Sequence, residues 1–114
     1  MRARLHSISS PDVVDLRTWK PPSEEFALPI RLLVGPSDAH GEESFDLTVC
    51  TGGWLADCAN HLGVIDARHH LVVDDFDWDA LRDYITRRVE ACAGDTWLEV
   101  AAGLSRLGLW EFED

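Results

Sequence analysis

The segment FDLTVCT at residues 45–51 decides the fold of this 114-residue chain. Its apolar side chains Phe45, Leu47 and Val49 alternate with polar ones, and a period of two is typical of a β-strand with one buried face. The more continuously apolar segment LPIRLLVG at residues 28–35 predicts a second, more deeply buried strand. Only a short turn-forming stretch rich in Pro, Ser, Asp and Gly separates the two, so together they predict an antiparallel hairpin.

The segments on either side of this hairpin predict further strands and three helices. The strands lie at residues 4–8 and 70–73, with a short strand or an extended tail at 109–113, and the helices lie at 54–62, from Trp78 to about Ala93, and from Trp97 to Gly108. Strands come first and the longer helices last, which is typical of an α+β fold. We therefore predict one domain, residues 1–114, in which a small antiparallel sheet of about four strands has two long C-terminal helices and one short helix packed on one face.

Two of the helix starts carry capping signals. Asp77 stands immediately before an apolar-periodic segment and predicts an N-cap, whose side chain accepts a hydrogen bond from the first turn. Thr96 and Glu99 have the spacing of a capping box at the start of the last helix. Asp79 falls in a first turn, where the helix dipole favours a negative charge.

The net charge of −11 is confined to one part of the chain. Residues 1–40 are balanced, whereas residues 41–114 carry five arginines against sixteen carboxylates, which bunch with aromatics in DDFDWD at 74–79 and WEFED at 110–114. A surface of one charge sign with embedded aromatics is typical of a docking site for a basic protein. A GC-rich genome or a saline habitat is the alternative explanation of the total charge.

The candidate partner-binding residues are those acidic or aromatic side chains in the two bunches for which no local structural role is apparent. They are Asp74, Asp75, Trp110, Glu111, Glu113 and Asp114. For Trp110 and Phe112, packing back onto the fold is the equally weighted alternative.

Residues with catalytic or metal-binding chemistry form no recognisable motif. Cys50 stands before a Gly-Gly turn and a helix start, where a thiolate is stabilised, and His61 or His70 would have to be its partner. Burial is the more common role of a free cysteine. The spacing of Cys50 and Cys58 does not match structural zinc sites, and adjacent histidines in a strand point to opposite faces. We predict no catalytic residue, no metal and no cofactor.

Composition also limits the partners and the compartment. A pI near 4.6 disfavours binding to nucleic acid, which requires a basic surface. No stretch approaches the roughly 20 apolar residues of a transmembrane helix, and the N-terminus lacks an apolar leader. Three cysteines leave one unpaired in any disulfide scheme. A cytoplasmic protein with reduced thiols, either a monomer or a homodimer, is the simplest interpretation.

Several short motifs, in order, resemble the immunity protein 8 family of bacterial polymorphic toxin systems. They are Ser10-Pro11-Asp12-Val13, Trp19-Lys20-Pro21, FDLTVCT at 45–51 leading to Trp54-Leu55, HLVV at 70–73, Gly94-x2-Trp97-x2-Val100-Ala101, and Gly108-x-Trp110-Glu111-Phe112-Glu113-Asp114. Each motif alone is weak, but their order and spacing over the whole chain are fairly specific. The resemblance implies an α+β fold and no catalytic residues.

The resemblance also implies a function, which is to bind and neutralise a cognate toxin domain. Because toxin nucleases bind polyanionic substrates through basic clefts, we predict that an acidic surface occludes such a cleft. Two other classes stay open: a small enzyme that uses Cys50, and an interaction subunit unrelated to toxins.

Overall fold

The computed structural model describes residues 1–113 and contains a five-stranded sheet with three helices. The elements in chain order are β1 (Ala3–Ser9), β2 (Ala27–Pro36), β3 (Glu43–Thr51), α1 (Gly52–Leu62), β4 (His70–Val73), α2 (Trp78–Glu90), α3 (Trp97–Leu104) and β5 (Leu109–Trp110). The α+β class predicted from the sequence is confirmed.

The predicted hairpin forms the middle of the sheet. Strands β2 and β3 pair antiparallel, with Ile30 opposite Leu47 and Leu32 opposite Phe45. These four side chains are buried on one face of the sheet, as the alternation in β3 predicts. Strand β1 pairs antiparallel with the other edge of β2, so β2 is hydrogen-bonded to a neighbouring strand along both of its edges.

The sheet is mixed rather than purely antiparallel, which corrects one detail of the predicted architecture. Strand β4 runs parallel to β3, with Thr48 opposite His70 and Thr51 opposite Val73. A parallel pair requires a crossover of a dozen or more residues, and α1 with the loop after it supplies one. The short strand β5 returns antiparallel to the same edge of β3, where Trp110 is opposite Phe45.

Helices α2 and α3 cover the apolar face of the sheet. The core that they form with β2 and β3 includes Ile85 and Val89 of α2 and Val100 of α3, all at 0 % exposure. Burial of such side chains contributes about 1.5–3 kcal/mol each to folding, so this face carries most of the hydrophobic stabilisation.

Helix α1 packs on the opposite face, contrary to the prediction that all three helices share one face. Helix α1 has no buried residue, and none of its side chains belongs to the hydrophobic core between the sheet and helices α2 and α3. The Trp54 ring instead lies 6.2 Å from that of His70, a β4 residue opposite Thr48 on the second face. The sequence conceals this, because the half-apolar stripe of α1 is compatible with either face.

Both C-terminal helices end earlier than predicted. Helix α2 stops at Glu90 because the next residues pair with the N-terminal segment. Ala3 N donates a hydrogen bond to Cys92 O at 3.0 Å, and Arg2 and Ala93 form an isolated antiparallel β-bridge. Helix α3 has eight residues and is the shortest of the three. Its N-cap is the predicted Thr96, but the Glu99 carboxylate accepts from Asp95 N rather than from Thr96 N.

The N-cap of α1 is Thr51, whose hydroxyl oxygen accepts from Trp54 N at 3.4 Å, and a carboxylate that is remote in sequence accepts from the same N–H. Glu25 Oε2 accepts a hydrogen bond from Trp54 N at 3.0 Å and another from the Thr51 hydroxyl. Thr51 Oγ1 in turn accepts from Phe26 N at 3.1 Å. The carboxylate lies so close to Gly53 that a Cβ there would collide with it. Glu25 therefore joins the loop before β2 to the β3–α1 turn.

Replacing Glu25 with alanine is expected to lower the free energy of unfolding by about 1 kcal/mol, because the shorter of the two bonds to Trp54 N and a bond to a buried hydroxyl are both lost. Urea unfolding followed by circular dichroism measures this difference. The neighbouring Glu24 is exposed and makes no hydrogen bond within residues 1–113, so Glu24→Ala is the matched control. Equal losses in the two variants would contradict the capping role.

Candidate functional site

One edge of the sheet carries both acidic segments predicted from the sequence. Strand β4 pairs with the C-terminal half of β3 and β5 with its N-terminal half, so the two segments lie at opposite ends of the same edge. Asp74 follows Val73, the partner of Thr51, and Glu111 lies beside Ser44. Ser44 and Thr51 are seven residues apart, which at a strand's rise is about 23 Å. The five candidate residues that lie within residues 1–113 therefore form two groups rather than one.

The first group lies in the loop between β4 and α2. Asp74 and Asp75 are exposed, and no ion pair within residues 1–113 involves either of them. Asp75 Oδ1 accepts from Phe76 N at 2.8 Å, a local contact that leaves its second oxygen free. Asp77 is the N-cap of α2, accepting from Ala80 N at 3.2 Å, as predicted.

The same loop closes one end of a groove between β4 and α2. The groove has a volume of about 500 Å³, and its walls are mainly apolar. Its lining residues are Leu71, Val72, Val73, Asp74, Asp75, Asp77, Ala80, Leu81 and Tyr84. Val72 is 53 % and Tyr84 40 % exposed, so an apolar surface adjoins the free carboxylates. Sequence reasoning missed Val72 and Tyr84, because neither the edge position of β4 nor the groove is visible in a local pattern.

The second group lies at the C-terminal end of the described chain. The Trp110 ring is stacked on Phe45, with centroids 6.5 Å apart and an interplanar angle of 9°. Its indole N–H donates to Glu43 Oε2 at 2.5 Å. Glu111 pairs with Ser44 through both its backbone N–H and its carboxylate, the latter at 2.8 Å. Both residues thus hold β5 against β3.

The Trp110 side chain therefore packs back onto the fold, which was the alternative to a role in partner binding. A contribution of Trp110 to binding stays a prediction. Phe112 packs edge-on against the Trp110 ring at 5.5 Å yet keeps 61 % of its surface exposed. Glu113 is exposed as well. Asp114 lies outside the described residues.

Cys50, the candidate nucleophile, is fully buried in the sheet. Burial raises the pKa of the Cys50 thiol, which disfavours the thiolate that nucleophilic attack requires. Of the two histidines that could have been its partner, His70 has Nδ1 3.0 Å from the carbonyl oxygen of Arg68, and His61 is exposed on α1.

Within residues 1–113, no three His, Cys, Asp or Glu side chains cluster in a way that could hold a metal ion. No helix in this part of the chain has the length and apolarity to cross a membrane.

The amino-acid sequence of the chain matches one known protein family. The family model for immunity protein 8 matches residues 3–114. The chain belongs to the immunity protein 8 family. No curated protein and no solved structure matches it.

Membership in this family makes the chain an immunity protein, whose partner is a toxin. The family description names neither the toxin's activity nor the surface that binds it.

Proposed function

We propose that this immunity protein neutralises a basic toxin domain by covering its active-site cleft with an acidic surface. The centre of that surface is the acidic loop, residues Asp74–Asp77 between β4 and α2. The observation that supports it is the exposure of Asp74 and Asp75 without ion-pair partners in the described chain, beside an apolar groove. Free carboxylates steer a basic partner during encounter, and adjacent apolar surface slows its release.

The C-terminal segment extends this surface along the same edge of the sheet. Glu113 and Phe112 are exposed there. A typical interface buries about 800 Å² on each partner, a patch roughly 30 Å across. Such a patch spans both acidic segments, since they lie at the two ends of β3.

The chemistry of the surface favours a toxin that acts on a polyanion, such as a nuclease-type effector of a polymorphic toxin system. The cleft of such an enzyme carries Lys and Arg side chains that bind phosphates. Carboxylates of the immunity protein would take the place of those phosphates. This mode of inhibition requires no catalytic residue, and it would act in the cytoplasm of the producing cell.

The affinity for the toxin is expected to fall by about tenfold or more between 50 and 500 mM NaCl, because salt screens exposed charges. Calorimetric titration of the purified toxin domain encoded by the neighbouring gene, carrying an inactivating substitution, measures this. Absence of any binding would contradict the proposed function. Tight binding that does not weaken with salt would contradict only the electrostatic mechanism.

A further inference from the structure

Strand β4 has an open outer edge. Thr48 N donates to His69 O, and the parallel register then directs the backbone groups of Leu71 and Val73 towards β3. The N–H and C=O of Val72 therefore point away from the sheet, and within residues 1–113 neither has a hydrogen-bond partner. The N–H of His70, by contrast, is already bonded to Ala67 O at 3.1 Å.

The groove described above runs directly beneath this edge. Leu71 and Val73 point to the core face but stay only partly buried, because α2 packs mainly along β1 at the far side of the sheet. Ala80 and Tyr84 of α2 form the opposite wall. A strand added beside β4 would direct alternate side chains into the groove.

We propose that an extended, basic segment of the toxin adds to the sheet as a strand along β4, with an apolar side chain in the groove. This inference rests on the proposed function and names the binding mode at that surface. Addition of a strand to an exposed sheet edge combines backbone hydrogen bonds, which give affinity, with side-chain pockets, which give specificity.

The charge of the groove decides which occupant fits. Asp74, Asp75 and Asp77 line its end, so Lys or Arg residues flanking the inserted apolar side chain would find partners there. A second copy of this chain is disfavoured, because each copy carries a net charge of −11. Residues 1–113 of the chain itself leave the groove empty.

A matched pair of substitutions at Val72 tests the backbone contact. Val72→Pro removes the outward N–H without removing a bond to β3, and proline is tolerated on edge strands. Val72→Thr keeps the N–H and the β-branched shape. We expect Val72→Pro to weaken binding of the inactivated toxin domain by about tenfold and Val72→Thr by less than about threefold.

A second pair tests the groove. Ala80→Trp fills it and is expected to weaken binding by about tenfold or more, whereas Ala102→Trp on the exposed side of α3 is expected to leave binding unchanged. Thermal unfolding of all four variants verifies that they fold.

Three results would overturn strand addition. Wild-type affinity in both Val72→Pro and Ala80→Trp would do so while leaving the proposed function intact. So would equal losses in Val72→Pro and Val72→Thr together with wild-type affinity in Ala80→Trp. A concentration-dependent dimer of the free protein that Val72→Pro dissociates would assign the edge to a second copy instead. Failure of the wild-type protein to bind the toxin domain would count against the proposed function itself.

Discussion

Replacing Phe45 with alanine is expected to lower the free energy of unfolding by about 3–5 kcal/mol. The side chain is 1 % exposed in the middle of the core and also supports the Trp110 ring. The variant would lose the transfer free energy of a buried aromatic ring, leave a cavity, and release β5 from β3. Since a domain of this size is stable by only about 5–15 kcal/mol, the loss is a large fraction of the total.

Urea unfolding followed by far-ultraviolet circular dichroism measures this loss. Phe112→Ala is the control, because Phe112 touches the same Trp110 ring but is 61 % exposed, and a loss below about 1 kcal/mol is expected. Phe45→Leu, which keeps most of the volume, is expected to lose about 1–1.5 kcal/mol and provides a folded comparison if the alanine variant does not fold. A loss below about 1 kcal/mol in Phe45→Ala would contradict the central place of this ring.

Reversing both charges in Asp74→Lys/Asp75→Lys is expected to weaken toxin binding by about 100-fold, mainly through slower association. Each substitution would convert the proposed attraction to a basic cleft into a repulsion. Surface plasmon resonance against the immobilised, inactivated toxin domain separates the association rate from the dissociation rate. In cells that express active toxin, the same variant is expected to protect poorly.

The control for this experiment keeps the total charge equal. Asp38→Lys/Asp57→Lys changes the net charge by the same amount at exposed positions whose side chains make no hydrogen bond or ion pair within residues 1–113. An affinity within about threefold of the wild type is expected there. If both double variants weaken binding equally, the acidity acts through the total charge and the acidic loop is not the centre of the interface.

Features that depend on neighbouring residues were predictable from the sequence. The alternation of Phe45, Leu47 and Val49 predicted the buried face of β3, and Asp77 and Thr96 predicted two helix starts. In each case the physical cause is local, since a strand's period or a cap's hydrogen bond involves residues only a few positions apart.

Features that depend on remote pairing were not predictable. The parallel direction of β4 and the face that α1 covers follow from a crossover whose hand and side are set by the assembled sheet. Likewise, Glu111 has a role only because the chain returns to Ser44. The open edge at Val72 is of the same kind, because a strand becomes an edge only by the absence of a neighbour.

The pairing of β1 with the segment after α2 has a consequence for biosynthesis. Ala3 and Cys92 are 89 residues apart in sequence, and Ser44 and Glu111 are 67 apart. Contacts between residues so far apart in sequence form slowly. Strand β1 leaves the ribosome early and stays without its C-terminal partner until that segment has been synthesised. The fold is therefore complete only after the residues up to Glu111 have been synthesised. A producing cell would gain protection sooner from an existing pool of folded protein than from synthesis that begins after the toxin appears.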